Sequence, residues 1–386
     1  MTEKRADIAI VGGGIVGLAH AYAAASSGRR VVLFERHQRA AGASVRNFGL
    51  IWPIGQPAGA RLEMALDSAR IWREVLTHAQ LPFFDTGSLH VCYRDDESAV
   101  AREFAERAPA LGYRCGWLSP AEAVRRSPGL VAIGLEGALW SETELTVDPR
   151  QATAELPAWL AARFGVELRY GHSVRSIDLP SVRTLDETWK VEQAIVCSGD
   201  DFETLYPDHF RRSGITRCKL QMMRTVPQPG GWQLGPALAG GLTLRFYPSF
   251  QLCSTLEALS RRVAAETPKF DRWGIHVMAS QTPEGEITIG DSHEYGNEVN
   301  IFNREEVDGM IVGYLRSFLK LPTQTIAQRW YGVYAKHPEQ PFVRFEPAPG
   351  VTVVTALGGA GMTLSFGLGA DTWRRISTSS SVPAYA

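Results

Sequence analysis

Several absences bound this chain of 386 residues. It has five cysteines, Cys92, Cys115, Cys197, Cys218 and Cys253, an odd number with no pair at Cys-x-x-Cys spacing. A disulfide framework and a zinc ribbon are therefore not expected, and a reducing, cytoplasmic setting is. Charge of neither sign dominates: 40 Lys+Arg stand against 41 Asp+Glu, a net charge of −1. That excludes a sequence-wide basic footprint for nucleic acid, so a charged ligand must meet a local cluster. No long unbroken apolar run is present. The longest uncharged stretch, Ile8 to Gly28, is interrupted by Gly12, Gly13 and Gly14 and preceded by the acidic Glu3 and Asp7. Neither a membrane span nor a signal peptide fits that pattern. Internal repeats, long low-complexity segments and a metal-ligating motif are missing as well, and no metal is expected.

What is present is an ordinary packed-protein composition, 45% apolar and 21% charged with 37 Gly and 22 Pro, and a length that suggests two domains or three. Asp7 to Val11 is a short apolar run of strand length, and Gly12-Gly-Gly14-Ile-Val-Gly17 follows at once. Leu18 to Ser27 is Ala-rich and helix-prone, stopped by Gly28. Val31 to Phe34 is a second buried strand that ends at Glu35. This β-α-β unit implies a parallel sheet covered by helices.

Further along, Ala58 to Ala79 has apolar residues at helical spacing, Leu89 to Tyr93 is strand-like, and Glu97 to Leu111 is a charged helix. Gly165 to Asp178 is expected as a strand pair or edge, and Val191 to Cys197 as a buried strand. From Leu220 to Arg304 short β-like pieces (Leu220–Val226, Leu242–Tyr247, Ile275–Ala279, Glu286–Ile289) alternate with turns, the texture of an inserted antiparallel sheet. Glu305 to Leu319 is a helix. Val351 to Thr355 is again a buried strand, followed by Gly358-Gly-Ala-Gly361. Thr378 to Ala386 is a Ser-rich tail with little to bury.

Each part of the Gly12-x-Gly14-x-x-Gly17 segment has a mechanical reason. Gly12 allows a tight turn, Gly14 lets the backbone approach a pyrophosphate, and Gly17 lets helix and strand pack closely. The helix N-terminus at Ile15, Val16 and Gly17 offers N–H groups and a positive dipole end to phosphates. Glu35, with Arg36 beside it, can accept from both hydroxyls of a ribose. An ADP-containing dinucleotide is the expected ligand. The chain returns at its end to a second glycine-lined helix start, Gly359 to Thr363, which suits a flavin whose N1–C2=O edge becomes negative on reduction. A pyridine-nucleotide-dependent flavin reductase would need a second dinucleotide motif, and Gly230-Gly-Trp-Gln-Leu-Gly-Pro lacks the spacing and the helix.

Five segments occur in one family's order: Ala9-Ile-Val-Gly-Gly-Gly-Ile-Val-Gly17, Gly42-Ala-Ser44-Val-Arg46-Asn47, Val147-Asp-Pro149, Val196-Cys-Ser-Gly199 and Gly358-Gly-Ala-Gly-Met362-Thr363. As a set they resemble the D-amino-acid oxidase superfamily of FAD-dependent amine oxidases, with glycine and sarcosine oxidases the nearer relatives. The resemblance implies an α/β fold: a Rossmann-like FAD-binding domain built from 1–85, 145–219 and 325–386, plus an α+β substrate domain with a large antiparallel sheet, 86–144 and 220–324. It implies bound FAD at Gly12, Gly14, Ile15, Val16, Gly17, Glu35, Arg36, Ser44, Gly199, Gly359, Gly361, Met362 and Thr363. Arg46 and Asn47 would lie near the flavin and the Val174 backbone near the adenine. No cysteine lies between Ala356 and Leu364, so the flavin would be held non-covalently. Asn47 to Pro53 and the Gly285 to Tyr295 segment, with Gly290-Asp-Ser-His293, are similar to a subfamily that acts on aminophosphonates.

An amine's C–H bond over a flavin needs positioning more than acid–base machinery, so the informative residues anchor the substrate's other end. The resemblance implies that glycine-oxidase-like relatives carry an Arg where this chain has Tyr334, while sarcosine-oxidase-like relatives have Tyr there, so the carboxylate clamp is missing at that position. Lys336 and His337 lie just beyond and together could hold a phosphonate, the rival reading being a solvated turn before Pro338. Arg245 and His276, on the inserted sheet expected to roof the flavin, complete the substrate-side set, with structural pairing as their rival reading. Cys197 is read as a small buried hydrophobe and Met222-Met223 as packing. His293 is distinctive but has no assigned role. None of the six lysines falls on Leu242 to Leu252, where an oxygen-activating lysine would be sought, so the acceptor is oxygen or another oxidant. The expected activity is oxidative deamination or N-demethylation of a small anionic amine, an aminophosphonate first. The rivals are a glycine, sarcosine or D-amino-acid oxidase and a non-catalytic FAD-binding subunit.

Overall fold

In the computed structural model, which describes residues 4–379, the Gly-rich segment sits at the centre of a six-stranded sheet. The order is Glu167–Tyr170, Val31–Glu35, Ile8–Val11, Gln193–Val196, Val351–Thr355 and Val343–Ala348. The first five run parallel, and the last is antiparallel to its neighbour. Ile8, Ala9 and Ile10 and all of Val351–Thr355 are buried, as strands covered on both faces must be. The helices Ile15–Ser26, Ala60–His78 and Gly361–Ser379 lie together against one face, where Leu18, Trp72 and Phe366 join the strand residues Ile8, Ile10 and Leu33 in one core. Burying side chains of that size contributes roughly 1.5–3 kcal/mol each.

The second large sheet has nine strands. It runs from Glu294–Gly296 through Thr216–Thr225, Ile287–Gly290, Met278–Gln281, Ala237–Gly240, Ser88–Cys92 and Gly137–Ser141 to Cys115–Leu118, with Ile326–Lys336 paired to Thr216–Thr225. Every pairing in it is antiparallel except that of Ala237–Gly240 with Ser88–Cys92. The expected antiparallel sheet between parallel segments is present.

Three expectations need correction. Leu242–Tyr247 is not a strand: the chain leaves the sheet at Gly240 and coils into a 3-10 turn over Gly241–Arg245. The cause is local crowding. The Glu97 carboxylate fills the space where a side chain at 241 would stand, and the Leu242 N–H donates to the Tyr314 hydroxyl at 3.1 Å instead of to a strand. The strands Thr216–Thr225 and Ile326–Lys336 belong to the large sheet, so it reaches past the expected boundaries at 219 and 325. Within 165–178 the expected edge is present as Glu167–Tyr170 in the parallel sheet, while Ser176–Asp178 joins a separate four-stranded sheet. Finally, the C-terminal helix runs through Thr378 to Ser379, and the rest of the expected tail, 380–386, lies outside the described residues. The five cysteines are all free. No helix among the described residues is long and apolar enough to cross a membrane.

Candidate active site

A single cavity of about 1220 Å³ runs from the Gly-rich turn to the face of the large sheet. At its nucleotide end the glycines are sterically required. A Cβ on Gly17 would lie 1.9 Å from the Gly12 carbonyl oxygen, and one on Gly12, at φ +111°, would lie 2.2 Å from the Cys197 oxygen. Only hydrogen fits where the helix Ile15–Ser26 crosses the strand ends. That helix has neither a side-chain cap nor an acidic residue in its first turn, which leaves its positive end facing the cavity. Ser44, in the turn Ala43–Val45, accepts from the Ile15 N–H at 2.9 Å. Glu35 closes the strand Val31–Glu35. Its Oε2 accepts from the Gly13 N–H at 2.8 Å and its Oε1 from the His37 N–H at 2.9 Å, so the carboxylate is fixed and each oxygen keeps acceptor capacity. Arg36 is paired with Asp201 beside it.

Val174, Gly199, Gly359, Gly361, Met362 and Thr363 all line the same cavity. Thr363 and Met362 also anchor neighbouring segments: Thr363 Oγ1 accepts from the Trp52 N–H at 2.9 Å, and the Met362 carbonyl from Trp72 Nε1 at 2.8 Å. Asn47 lines the cavity, but its amide is spent on structure. It donates to the Ala43 and Ser44 carbonyls and accepts from the Gly49 N–H. Arg46 donates to the Tyr331 carbonyl at 3.3 Å. A groove walled by backbone, with a helix N-terminus at the Gly-rich turn flanked by the acidic strand end Glu35 on one side and a second helix N-terminus at Gly361 on the other, fits an extended dinucleotide such as FAD. Cys197 is buried, and burial pushes its thiol well above the ordinary range, as befits a packed apolar side chain.

The other end of the cavity is aromatic and cationic. Tyr334 and Lys336, at the end of the strand Ile326–Lys336, face it. Burial raises the Tyr334 hydroxyl well above its usual value. Lys336 Nζ lies 3.2 Å from the Tyr295 hydroxyl and forms no ion pair among the described residues. His337 borders the cavity, but its Nδ1 accepts from the N–H groups of Glu339 and Gln340 at 3.1 and 3.0 Å. That ties Nδ1 to the turn at the exposed Pro338–Gln340 and leaves Nε2 as the ring's donor. Arg245 does not line the cavity. It ends the 3-10 turn and is paired with Asp271, the structural role that was its rival reading. His276 does line it, just ahead of the strand Met278–Gln281 and not within it.

The sequence reading missed two groups here. Arg61, in the first turn of the helix Ala60–His78, is half-buried on the cavity wall and forms no hydrogen bond or ion pair among the described residues; burial lowers its affinity for the proton. No motif marks it. Asp291 and His293, inside the segment quoted for its resemblance, meet His276. It is the one place among the described residues where three His, Cys, Asp or Glu side chains bring their polar atoms within 4.8 Å of one another.

The family model for FAD dependent oxidoreductases (DAO) matches residues 7–374. Among curated proteins, one subunit of the anaerobic glycerol-3-phosphate dehydrogenase of Escherichia coli (strain K12) is 30% identical over 155 residues, 39% of this chain and 28% of that protein. The glycine oxidase of Geobacillus kaustophilus (strain HTA426) is 25% identical over 214 residues, 50% of this chain and 55% of that protein. The match thus spans about a quarter of the first relative and about half of the second. Among solved structures, L-proline dehydrogenase from P. horikoshii superposes with a TM-score of 0.77 at 20% identity, covering 98% of this chain and 94% of that one. Glycine oxidase from Geobacillus kaustophilus gives 0.74 at 18%, covering 96% and 95%. At such identities the superpositions establish a common fold.

Proposed function

The chain belongs to the DAO family of FAD-dependent oxidoreductases, and we propose that it oxidises a small anionic amine, an aminophosphonate related to 2-aminoethylphosphonate before an α-amino acid. The observation that carries this reading is the composition of the cavity's far end. Lys336 lies there beside Tyr295, Arg61 lines the same cavity, neither has a carboxylate partner among the described residues, and by the family resemblance Tyr334 takes the place of the arginine of glycine-oxidase-like relatives. A bidentate arginine suits a planar carboxylate, whereas separated cations with hydroxyls such as that of Tyr295 suit a tetrahedral, doubly charged headgroup.

The protein's own residues then act as a positioning device. Gly12, Gly14 and Gly17 and the helix start at Ile15 receive the pyrophosphate, Glu35 the adjoining ribose hydroxyls, and the helix start at Gly361 the opposite end. Bound there, FAD supplies the two-electron oxidant. Arg61 and Lys336 hold the acid headgroup so that the amine-bearing carbon is fixed within the aromatic walls of Phe246, Tyr247 and Tyr334, from which water is largely displaced. The product imine hydrolyses to an aldehyde with release of ammonia, or of methylamine from an N-methyl substrate. Oxygen or another acceptor completes the cycle.

Anaerobic mixing of the holoprotein with glycine, sarcosine, 2-aminoethylphosphonate and its 1-hydroxy and N-methyl forms, with flavin absorbance as the readout, tests this. Fastest bleaching by one of the phosphonates supports the reading. Preference for glycine or sarcosine overturns the phosphonate choice, and bleaching by no amine overturns the activity. Hydrogen peroxide formed on readmitting air identifies oxygen as acceptor.

A further inference from the structure

Asp291 is a buried carboxyl group with nothing to balance a charge on it, and burial raises its affinity for the proton well above that of an ordinary carboxylate. It is 5% exposed, and its Oδ1 has no hydrogen-bond partner among the described residues. His276 Nε2 lies 3.1 Å from that oxygen, but off the line of a hydrogen bond, so both ring nitrogens of His276 are also unpartnered. His293 Nε2 is 4.0 Å from the same oxygen, and its Nδ1 has no partner either. All three side chains open on the cavity. Burial holds His276 well below the usual imidazole range and His293 at about 3, the latter with help from Lys336. Two neutral rings beside Asp291 in its ionised form, the form a bound cation favours, offer more acceptors than donors.

The surroundings suit a cation. The Phe246 ring centroid is 4.2 Å from that of His276 and 5.5 Å from that of His293, and the rings of Tyr295 and Tyr334 lie 5.9 and 6.4 Å from His293. Aromatic faces around a buried acceptor form the setting in which ammonium groups are recognised.

The geometry points to Asp291, with His276 and His293, as the subsite that receives the substrate's protonated amine and takes its proton. This rests on the reading of the protein as an amine oxidoreductase. Acceptors about 2.9 Å from a tetrahedral ammonium lie up to about 4.7 Å apart, close to the 4.8 Å spread of this cluster. Ligands about 2.1 Å from a tetrahedral metal lie only about 3.4 Å apart, less than the 4.0 Å between His293 and Asp291. In the step proposed, an N–H bond of R–CH₂–NH₃⁺ breaks, the proton passes to Asp291 Oδ1, and the electron pair stays on nitrogen. That pair forms the C=N bond when hydride leaves the adjacent carbon for the flavin, the oxidant. Besides the two histidines, the ionisable groups facing Asp291 are Tyr247, Tyr295, Tyr334 and Cys218, with Arg245 and Lys336 behind the imidazoles.

Calorimetric titration of the holoprotein tests this without turnover. (2-Amino-2-methylpropyl)phosphonate carries no hydrogen on the carbon bonded to nitrogen and cannot be oxidised there; (2-methylpropyl)phosphonate is its match without the amine. The pair 2-amino-2-methylpropanoate and 2-methylpropanoate asks the same question with a carboxylate headgroup. In the wild type the amine-bearing member of at least one pair binds tenfold or more tighter than its match. Asp291→Asn abolishes that preference and leaves the amine-free member within threefold of wild type, which also reports an intact site. If only the carboxylate pair shows the contrast, the phosphonate reading falls and the role of Asp291 stands. An unchanged preference in Asp291→Asn overturns the inference. So does a wild type without preference in either pair, or stoichiometric divalent metal in the purified wild type that Asp291→Asn loses.

Discussion

Arg61 gives the sharpest test of how the substrate is held. Its guanidinium is half-buried on the cavity wall with no partner among the described residues, so an anion that enters meets an unsatisfied donor fork instead of competing with an existing salt bridge. A hydrogen bond to a charged group is worth about 1.5–3 kcal/mol, which corresponds to a rise in KM of roughly 10- to 150-fold when it is removed. Arg61→Met is the appropriate change because it keeps most of the apolar stem and removes only the charged head. Lys336 is more exposed and shares solvent with its headgroup, so Lys336→Met is expected to cost only about 0.5–1 kcal/mol, two- to fivefold in KM. Arg61 does not contact the Gly-rich turn, so the flavin content of Arg61→Met stays at the wild-type level; the Lys336 stem passes Gly358, where a Cβ would lie 3.7 Å from its Cγ, and the methionine keeps that stem in place. Steady-state kinetics with the best amine of the panel, at two ionic strengths, reads the effect. The wild-type KM rises with salt, and the Arg61→Met KM rises less steeply. Variants whose KM values both stay within twofold of wild type would refute the electrostatic grip, whatever the amine.

Gly17→Ala places a methyl group 1.9 Å from the Gly12 backbone oxygen, which no rotamer relieves. The variant should purify without yellow colour, and a full complement of flavin would show that the turn tolerates it. Thr363→Val strands the buried Trp52 N–H, at a cost of about 1–3 kcal/mol, and should lower Tm, whereas an unchanged melt would mean that another acceptor moves in. Stability also carries a pH signature from buried histidines. Burial holds His20 at about 4 and His90 at about 3, both below the unfolded value of about 6.5. The unfolded state therefore binds more protons, the contribution is fully present above pH 6.5, and it drains as pH falls toward 4, by about 1.4 kcal/mol per pH unit for each histidine. His90→Gln should flatten that slope in denaturant titrations between pH 6.5 and 4; an unaltered slope refutes the assignment.

The nucleotide half of the cavity was legible in the sequence because its function is written into backbone geometry. Gly12, Gly14 and Gly17 report a turn, Glu35 a strand end, and Gly358 to Thr363 a second helix start, all within short segments whose spacing has one mechanical meaning. The substrate half is assembled from side chains far apart in the chain, Arg61, His276, Asp291, His293, Tyr295 and Lys336, and no local pattern says which of them will meet. Leu242 to Tyr247 shows the same limit within one element. Its apolar residues read as a strand, but the Glu97 carboxylate and the Tyr314 hydroxyl, brought by other helices, turn it into a 3-10 coil and carry Arg245 away to Asp271. At His337 the two amides that follow it claim its Nδ1, a tie to the local turn that leaves only Nε2 to meet a ligand.

Tyr334 brings these strands of argument to one position. The side chain faces the cavity 6.4 Å, ring to ring, from His293 and opposite Cys218 across the ladder. If its being tyrosine is what turns the site away from carboxylates, then Tyr334→Arg restores a planar fork, which pairs with a carboxylate through two parallel hydrogen bonds. A tetrahedral headgroup gains less from the fork, because Arg61 and Lys336 already supply its charge. The ratio of kcat/KM for glycine to that for 2-aminoethylphosphonate should therefore rise by at least tenfold, about 1.4 kcal/mol, with flavin content unchanged. Loss of both activities in parallel would mean only that the larger cation disrupts the aromatic wall, and Tyr334→Phe separates that case, since it keeps the wall and should leave the ratio where it was. A ratio unmoved in an active Tyr334→Arg enzyme would show that headgroup selection lies elsewhere, and the argument from the missing arginine would fail with it.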